Sequence, residues 1–222
     1  RIHNIRRPKP DDFQIKQAVE RIKNSKNPII ISGGGVFYSD AMDELGNFAV
    51  KHNIPVTQTV MGYSTMKKDH SHFVGPIGGL GGKAANNLAK ETDLAICIGT
   101  KLADFTTGSW ANFENPEFKL VSINIARHDA NKHLAEAVIG DAKVTLTELS
   151  NAIGDWKSSD NWHKKSQDEL KSWNEYVDKE SGPTNQELPS YAHAVGAIYR
   201  NSDPTDIAVT AAGGLVGEVV QV

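Results

Sequence analysis

Pro28-Ile29-Ile30-Ile31-Ser32-Gly33-Gly34-Gly35 is the stretch that decides the fold. Its consecutive isoleucines leave no polar alternate, so a strand here has both faces covered. The glycines that follow mark a tight turn from strand to helix. Upstream, Ile15, Ala18, Val19 and Ile22 recur at helical spacing, opened by Asp11 or Asp12 and closed by Asn27-Pro28. Downstream, Ala41, Leu45, Phe48, Ala49 and His52 line one face of a second helix, with Ser39 or Asp40 as its cap.

The alternation continues. Pro55 to Val60 is a short β-rich run, and Lys83 to Glu91 is helical in composition. Leu94 to Ile98, Lys119 to Ile125 and Ala137 to Ile139 read as further strands, and Val144, Leu146, Leu149 and Ile153 as one more helix. Apolar strands separated by helices imply a parallel sheet covered on both sides, because parallel strands need crossovers. The expectation is an α/β, doubly wound, Rossmann-like domain over residues 11–156.

Residues 1–10, basic and holding two prolines, read as a linker from a missing N-terminal domain, and 157–187 as a helical linker. Residues 188–222 begin a new rhythm: a helix around Tyr191 to Tyr199, a strand at Ile207-Ala208-Val209, then Ala211-Ala212-Gly213-Gly214. The expectation is a second domain, truncated at Val222.

Composition narrows the function. With 222 residues, 39% hydrophobic and 23% charged, the chain can bury a core. A formal charge of −3 gives no field to attract nucleic acid or anionic lipid. No apolar run is long enough to span a bilayer, so a cytoplasmic protein is expected, with neither nucleic acid nor membrane as partner. The single cysteine, Cys97, can close no internal disulfide and no paired-thiolate zinc site; it reads as a small buried hydrophobe.

Gly33-Gly34-Gly35 sits where such folds approach a phosphate, although a ligand-free turn explains it equally well. A second cluster, Gly75 to Gly82, suggests a ligand loop or close backbone contact. Gly99 and Gly140-Asp141 follow strand ends, so the clusters converge on one crevice. His70 and His72 read as surface loop rather than metal site, and His128 and His133 as facing apart on a helix. Trp110 lines a pocket or a subunit contact; the residues leave that open. No catalytic constellation emerges, and no metal site is expected.

In order, Ile29 to Val36, Ile54 to Thr59, His72 to Gly82, Asp93 to Lys101, Thr106-Thr107-Gly108 and Ile139 to Ala142 resemble the central domain of acetolactate-synthase-like thiamine-diphosphate enzymes. The resemblance covers roughly residues 8 to 155. It implies a DHS-like NAD/FAD-binding fold. Asp104 to Trp110 and Ile123 to Arg127 look like the branch of myo-inositol catabolism, the trihydroxycyclohexane-1,2-dione hydrolases, which open a cyclic diketone to 5-deoxy-glucuronate. Ala211 to Leu215 with Gly217-Glu218 resembles the start of that branch's cofactor-binding domain.

Carried over, the family's crevice would place Gly33, Gly34 and Gly35 at a phosphate and Thr59 with Gly79, Gly81 and Gly82 along the nucleotide. Gly99 and Lys101 would follow, with Asn124 and Asp141 near the adenosine. Flavin-binding members carry arginine at Lys101 and acidic residues at Asn124 and Ala126, so an empty or repurposed crevice is expected at least as much as one holding FAD or another nucleotide. The resemblance also implies thiamine diphosphate and Mg2+ in the parent enzyme, held mostly outside this chain, with flanking domains and a homo-oligomer as partners. Other readings are an acetolactate-synthase-like enzyme, a stand-alone nucleotide-binding module, and a sirtuin-like NAD-consuming enzyme. The single Cys97 argues against the last, which carries a four-cysteine zinc module.

Overall fold

A computed structural model describes residues 6–203, 205–210 and 213–221. Its strands are β1 (Pro28–Ser32), β2 (Val56–Gln58), β3 (Phe73–Pro76), β4 (Leu94–Ile98), β5 (Lys119–Asn124) and β6 (Glu136–Ile139). They form one parallel sheet in the order β3-β2-β1-β4-β5-β6. This is the doubly wound α/β architecture expected from the isoleucine run.

Period-two alternation divides the core. Ile30, Ile96 and Val121 face α1 (Asp12–Lys23), α3 (Met42–His52) and α7 (Ala142–Ile153). Ile29, Ile31, Ala95 and Cys97 face α4 (Lys83–Glu91) and α8 (Asp160–Glu180). Ile29, Ile30 and Ile31 are all fully buried, each contributing about 1.5–3 kcal/mol of transfer free energy.

The stretch read as a helical linker therefore contains a sheet-covering element. Trp162 of α8 is buried, and its indole Nε1–H donates to Pro28 O at 2.8 Å. Lys165 Nζ reaches Glu91 and Asn87 Nδ2 donates to Glu169 Oε2 at 2.8 Å, fastening α8 to α4. The remaining helices are α2 (Gly34–Tyr38), α5 (Asp104–Thr107), α6 (Arg127–Ala130), α9 (Tyr191–Asn201) and α10 (Gly214–Gln221).

Residues 7–10 lie along the domain. Arg7 Nη1 donates to Asp141 Oδ2 at 3.1 Å, Pro8 O accepts from Asp141 N at 2.9 Å, and Pro10 is buried.

Several sequence expectations change. The segment after the glycines holds two helices, α2 and α3. Neither Ser39 nor Asp40 caps α3: its N-cap is Ala41, without a side-chain bond, and Ser39 is the C-cap of α2. Asp40 takes a left-handed φ of 53° between the helices and pairs with Lys143 at 3.1 Å. At the start of α1, Asp11 is the cap, accepting from Gln14 N. The β2 run is shorter than read, because Thr59 leaves the sheet and its hydroxyl accepts from Gly62 N in a 3-10 turn. A strand missed in the glycine-rich stretch, β3, pairs with β2 at the sheet edge.

Ile207-Ala208-Val209 forms no strand; Ile207 and Val209 are exposed, and the segment pairs with none of the six strands of the sheet. Ala211 and Ala212 lie outside the described residues, while Gly214, Gly217 and Glu218 lie in α10. His128 and His133 sit on different elements, α6 and the following 3-10 turn, where His133 has φ 60°.

Candidate functional site

The strand order reverses between β1 and β4, and a doubly wound sheet opens its crevice outside the C-terminal ends of those strands. A cleft of about 440 Å³ lies there. Gly34, Gly35, Thr59, Gly99, Lys101 and Asn124, six of the eleven candidate residues, all line it. Larger hollows occur between α4, α8 and the α9–α10 segment (about 690 Å³) and below the N-terminal ends of β4 and β5 (about 650 Å³). Neither is at the switch point.

The glycines have a steric reason. A Cβ on Gly33 would stand 2.5 Å from Gly99 O, and one on Gly35 would stand 2.6 Å from Gly99 Cα. Gly99 itself has φ 62°, a left-handed conformation that costs an L side chain about 1–2 kcal/mol. The turn after β1 thus crosses the turn after β4 backbone to backbone. Hydrogen bonds seal the crossing: Gly33 N donates to Ile98 O at 2.8 Å and Gly35 N to Gly99 O at 2.9 Å. Two of the three amides that a phosphate would use are engaged.

Asn124 is similarly occupied. Its Nδ2 donates to Thr100 O at 3.2 Å and its Oδ1 accepts from Ala126 N at 2.9 Å. Lys101 is exposed at the crevice mouth with Asp129 also on the wall. The hydrogen bond from Lys132 holds the Asp129 carboxyl below the usual carboxylate range, helped by His128 and Lys101.

Five candidates lie off the cleft wall. Gly33 is beneath the crossing described above. Gly79 N donates to Phe105 O at 2.7 Å, docking the glycine loop on α5. A Cβ on Gly81 would stand 2.5 Å from Ile77 C, and one on Gly82 2.9 Å from Trp173 Nε1. Asp141 caps α7 through Lys143 N and Val144 N, and binds Arg7 and Ser39.

Sequence reasoning passed over the cleft's apolar rim. Tyr38, Met61 and Phe105 are 79%, 78% and 71% exposed around it. Their signal was present, as large apolar residues just past strand ends. Asn86 was also missed: its amide brackets the Gly78 peptide, accepting from Gly78 N and donating to Gly78 O. Trp110 packs on His133 at 4.6 Å between ring centroids, beside a shallow pocket with Phe118 and Leu120.

Residues 15–149 match the family described as thiamine pyrophosphate enzyme, central domain. The chain belongs to this family. Similar relatives carry the name 3D-(3,5/4)-trihydroxycyclohexane-1,2-dione hydrolase. One from Clostridium perfringens (strain 13 / Type A) is 35% identical over 246 aligned positions, covering 99% of this chain and 38% of the relative. One from Bacillus anthracis (strain CDC 684 / NRRL 3495) is 35% identical over 243 positions, again 99% and 38%. A "hydrolase 2" from Bacillus cereus is 45% identical over 152 positions, covering 68% of this chain and 24% of the relative. The chain thus spans little more than a third of the curated relatives that it matches along its length.

Among the described residues, no group of three or more His, Cys, Asp or Glu side chains is placed to hold a metal ion. Cys97 is fully buried and burial pushes its thiol up, consistent with a core residue. Among the described residues, no helix is long and apolar enough to cross a membrane.

Proposed function

We propose that this chain is the architectural central unit of a thiamine-diphosphate enzyme that hydrolyses a C–C bond of a cyclic 1,2-diketone. The substrate class is trihydroxycyclohexane-1,2-dione, opened to 5-deoxy-glucuronate in inositol degradation. The names of the relatives support that class. The observation that carries the architectural role is the backbone crossing of Gly33–Gly35 with Gly99, which engages two of the three amides a dinucleotide phosphate would use.

In this reading Lys101 and Asn124 shape the crevice without holding flavin. Thiamine diphosphate and its Mg2+ belong to segments other than the described residues. The chain's partners are the flanking domains of the same enzyme and a second copy of it, in the cytoplasm. Neither nucleic acid nor membrane is a partner, in keeping with the formal charge of −3.

Replacing the matched segment of the Clostridium perfringens relative with this chain tests the assignment. The chimera is expected to bind thiamine diphosphate and hydrolyse the cyclic diketone. A folded, cofactor-binding chimera without turnover contradicts the assignment to that hydrolase. Diketone turnover by this chain alone, supplied with thiamine diphosphate and Mg2+, contradicts the architectural role.

A further inference from the structure

Asn53 ends α3 in a left-handed conformation, φ 54°, and its buried side chain ties three elements together. Its Nδ2 donates to Ser158 O at 3.2 Å and to Asp160 Oδ1 at 3.0 Å, at the start of α8. Its Oδ1 lies 3.2 Å from His72 Nε2, in the segment entering β3. Because Oδ1 only accepts, His72 carries its proton on Nε2 there. Its Nδ1, 3.0 Å from Ser71 Oγ, is then the acceptor of that hydroxyl's proton. The ring is fully hydrogen-bonded as a neutral imidazole, and its residue is only 6% exposed.

The face of that ring is equally committed. His163, in the first turns of α8, stacks on it at 4.2 Å between centroids with 24° between planes. Among the described residues, His163 Nδ1 is buried without a hydrogen-bond partner. His70 lies 5.9 Å from His72 on the other side of Ser71. We infer that His70, His72 and His163 form an acid-sensitive latch: charge on this buried, stacked pair is disfavoured while α8 is docked, so proton uptake loosens the start of α8 from α3 and β3.

The charges around the latch set its direction. Facing His72 are His70 from its own loop and His163 from α8, both of which disfavour its protonation. Facing His163 is Asp160, which favours its protonation but is outweighed by burial. His52 on α3, hydrogen-bonded to Trp156 O at 2.8 Å, is depressed by burial and by Lys51 and Lys157. Burial holds the His72 imidazole down to about 4 while the start of α8 is docked. Undocked, it returns to the ordinary range near 6.5. The open form then binds the extra proton between those values, and opening becomes easier as pH falls through the window. For His72 alone this is about a twentyfold rise in the opening equilibrium from pH 7 to pH 5.

Amide hydrogen exchange on the intact chain tests the latch, with protection factors corrected for intrinsic rates. Protection over residues 158–166 is expected to fall about twentyfold between pH 7 and pH 5. Residues 158–166 are expected to exchange ahead of β1 and β4 at both pH values. His72→Gln keeps a donor to Asn53 without titrating, and should flatten the local response. Direct NMR titration of the His72 ring needs no variant and should give a midpoint well below 6. Protection over residues 158–166 that does not change with pH, exchange there only in step with the core at both pH values, or a His72 midpoint near 6.5, would overturn the latch.

Discussion

Gly99 carries the most stringent single-residue requirement in the crevice. Its φ of 62° and the 2.6 Å approach of a Cβ to Gly35 Cα leave no room for alanine. Left-handed strain of about 1–2 kcal/mol adds to overpacking of about 1–3 kcal/mol. Gly99→Ala should therefore lower unfolding free energy in urea by about 2–5 kcal/mol; a change within the error of the measurement contradicts the crossing. Asp141 offers a different test, because it caps α7 and anchors Arg7 rather than lining the cleft. Asp141→Ala should cost about 1–2 kcal/mol, and Asp141→Asn less, since asparagine still accepts at an N-cap. The histidines give a pH dependence of fixed sign. Burial depresses His52, His72 and His163, so the unfolded chain takes up protons that the folded chain refuses. The melting temperature should fall as pH drops below about 6.5, and less steeply in His72→Gln.

At the scale of elements, the central strands were readable because burial on both faces leaves an unbroken apolar run. Pro28–Ser32 and Leu94–Ile98 are fully buried along their lengths. The edge strand β3 was not readable. Its Phe73-Val74-Gly75-Pro76 lies inside a glycine-rich stretch, and an edge position tolerates the proline that a central strand would not. The break between α2 and α3 was hidden for another reason. Asp40 turns the chain through a left-handed φ that aspartate tolerates but does not require. The weight of α8 was also underestimated, because only Trp162 and Ser166 of its 21 residues are buried. Yet Trp162 fills the second core and donates to Pro28 O. Trp162→Ala should destabilise the chain by about 3–5 kcal/mol in chemical denaturation. An effect below about 1 kcal/mol, the size of one lost hydrogen bond, would mean that α8 is only loosely attached.

Across the whole molecule, sheet topology explains why so much of the crevice could be read from sequence. Glycines after β1 and β4 meet because those strands are neighbours in the order β3-β2-β1-β4-β5-β6. What sequence could not distinguish was whether glycines served a ligand or each other. Gly33, Gly35 and Gly99 serve each other, and Asn124 bonds only to backbone among the described residues. In the proposed architectural reading, the chain keeps the nucleotide-fold frame while its glycines brace each other rather than a ligand. Isothermal titration of the chain with ADP, NAD and FAD tests this most directly. No saturable heat at millimolar ligand and no gain in melting temperature are expected. Saturable binding that Lys101→Ala weakens, with the stabilisation of about 2.7 kcal/mol that a ligand gives at 100 times its Kd, would contradict it.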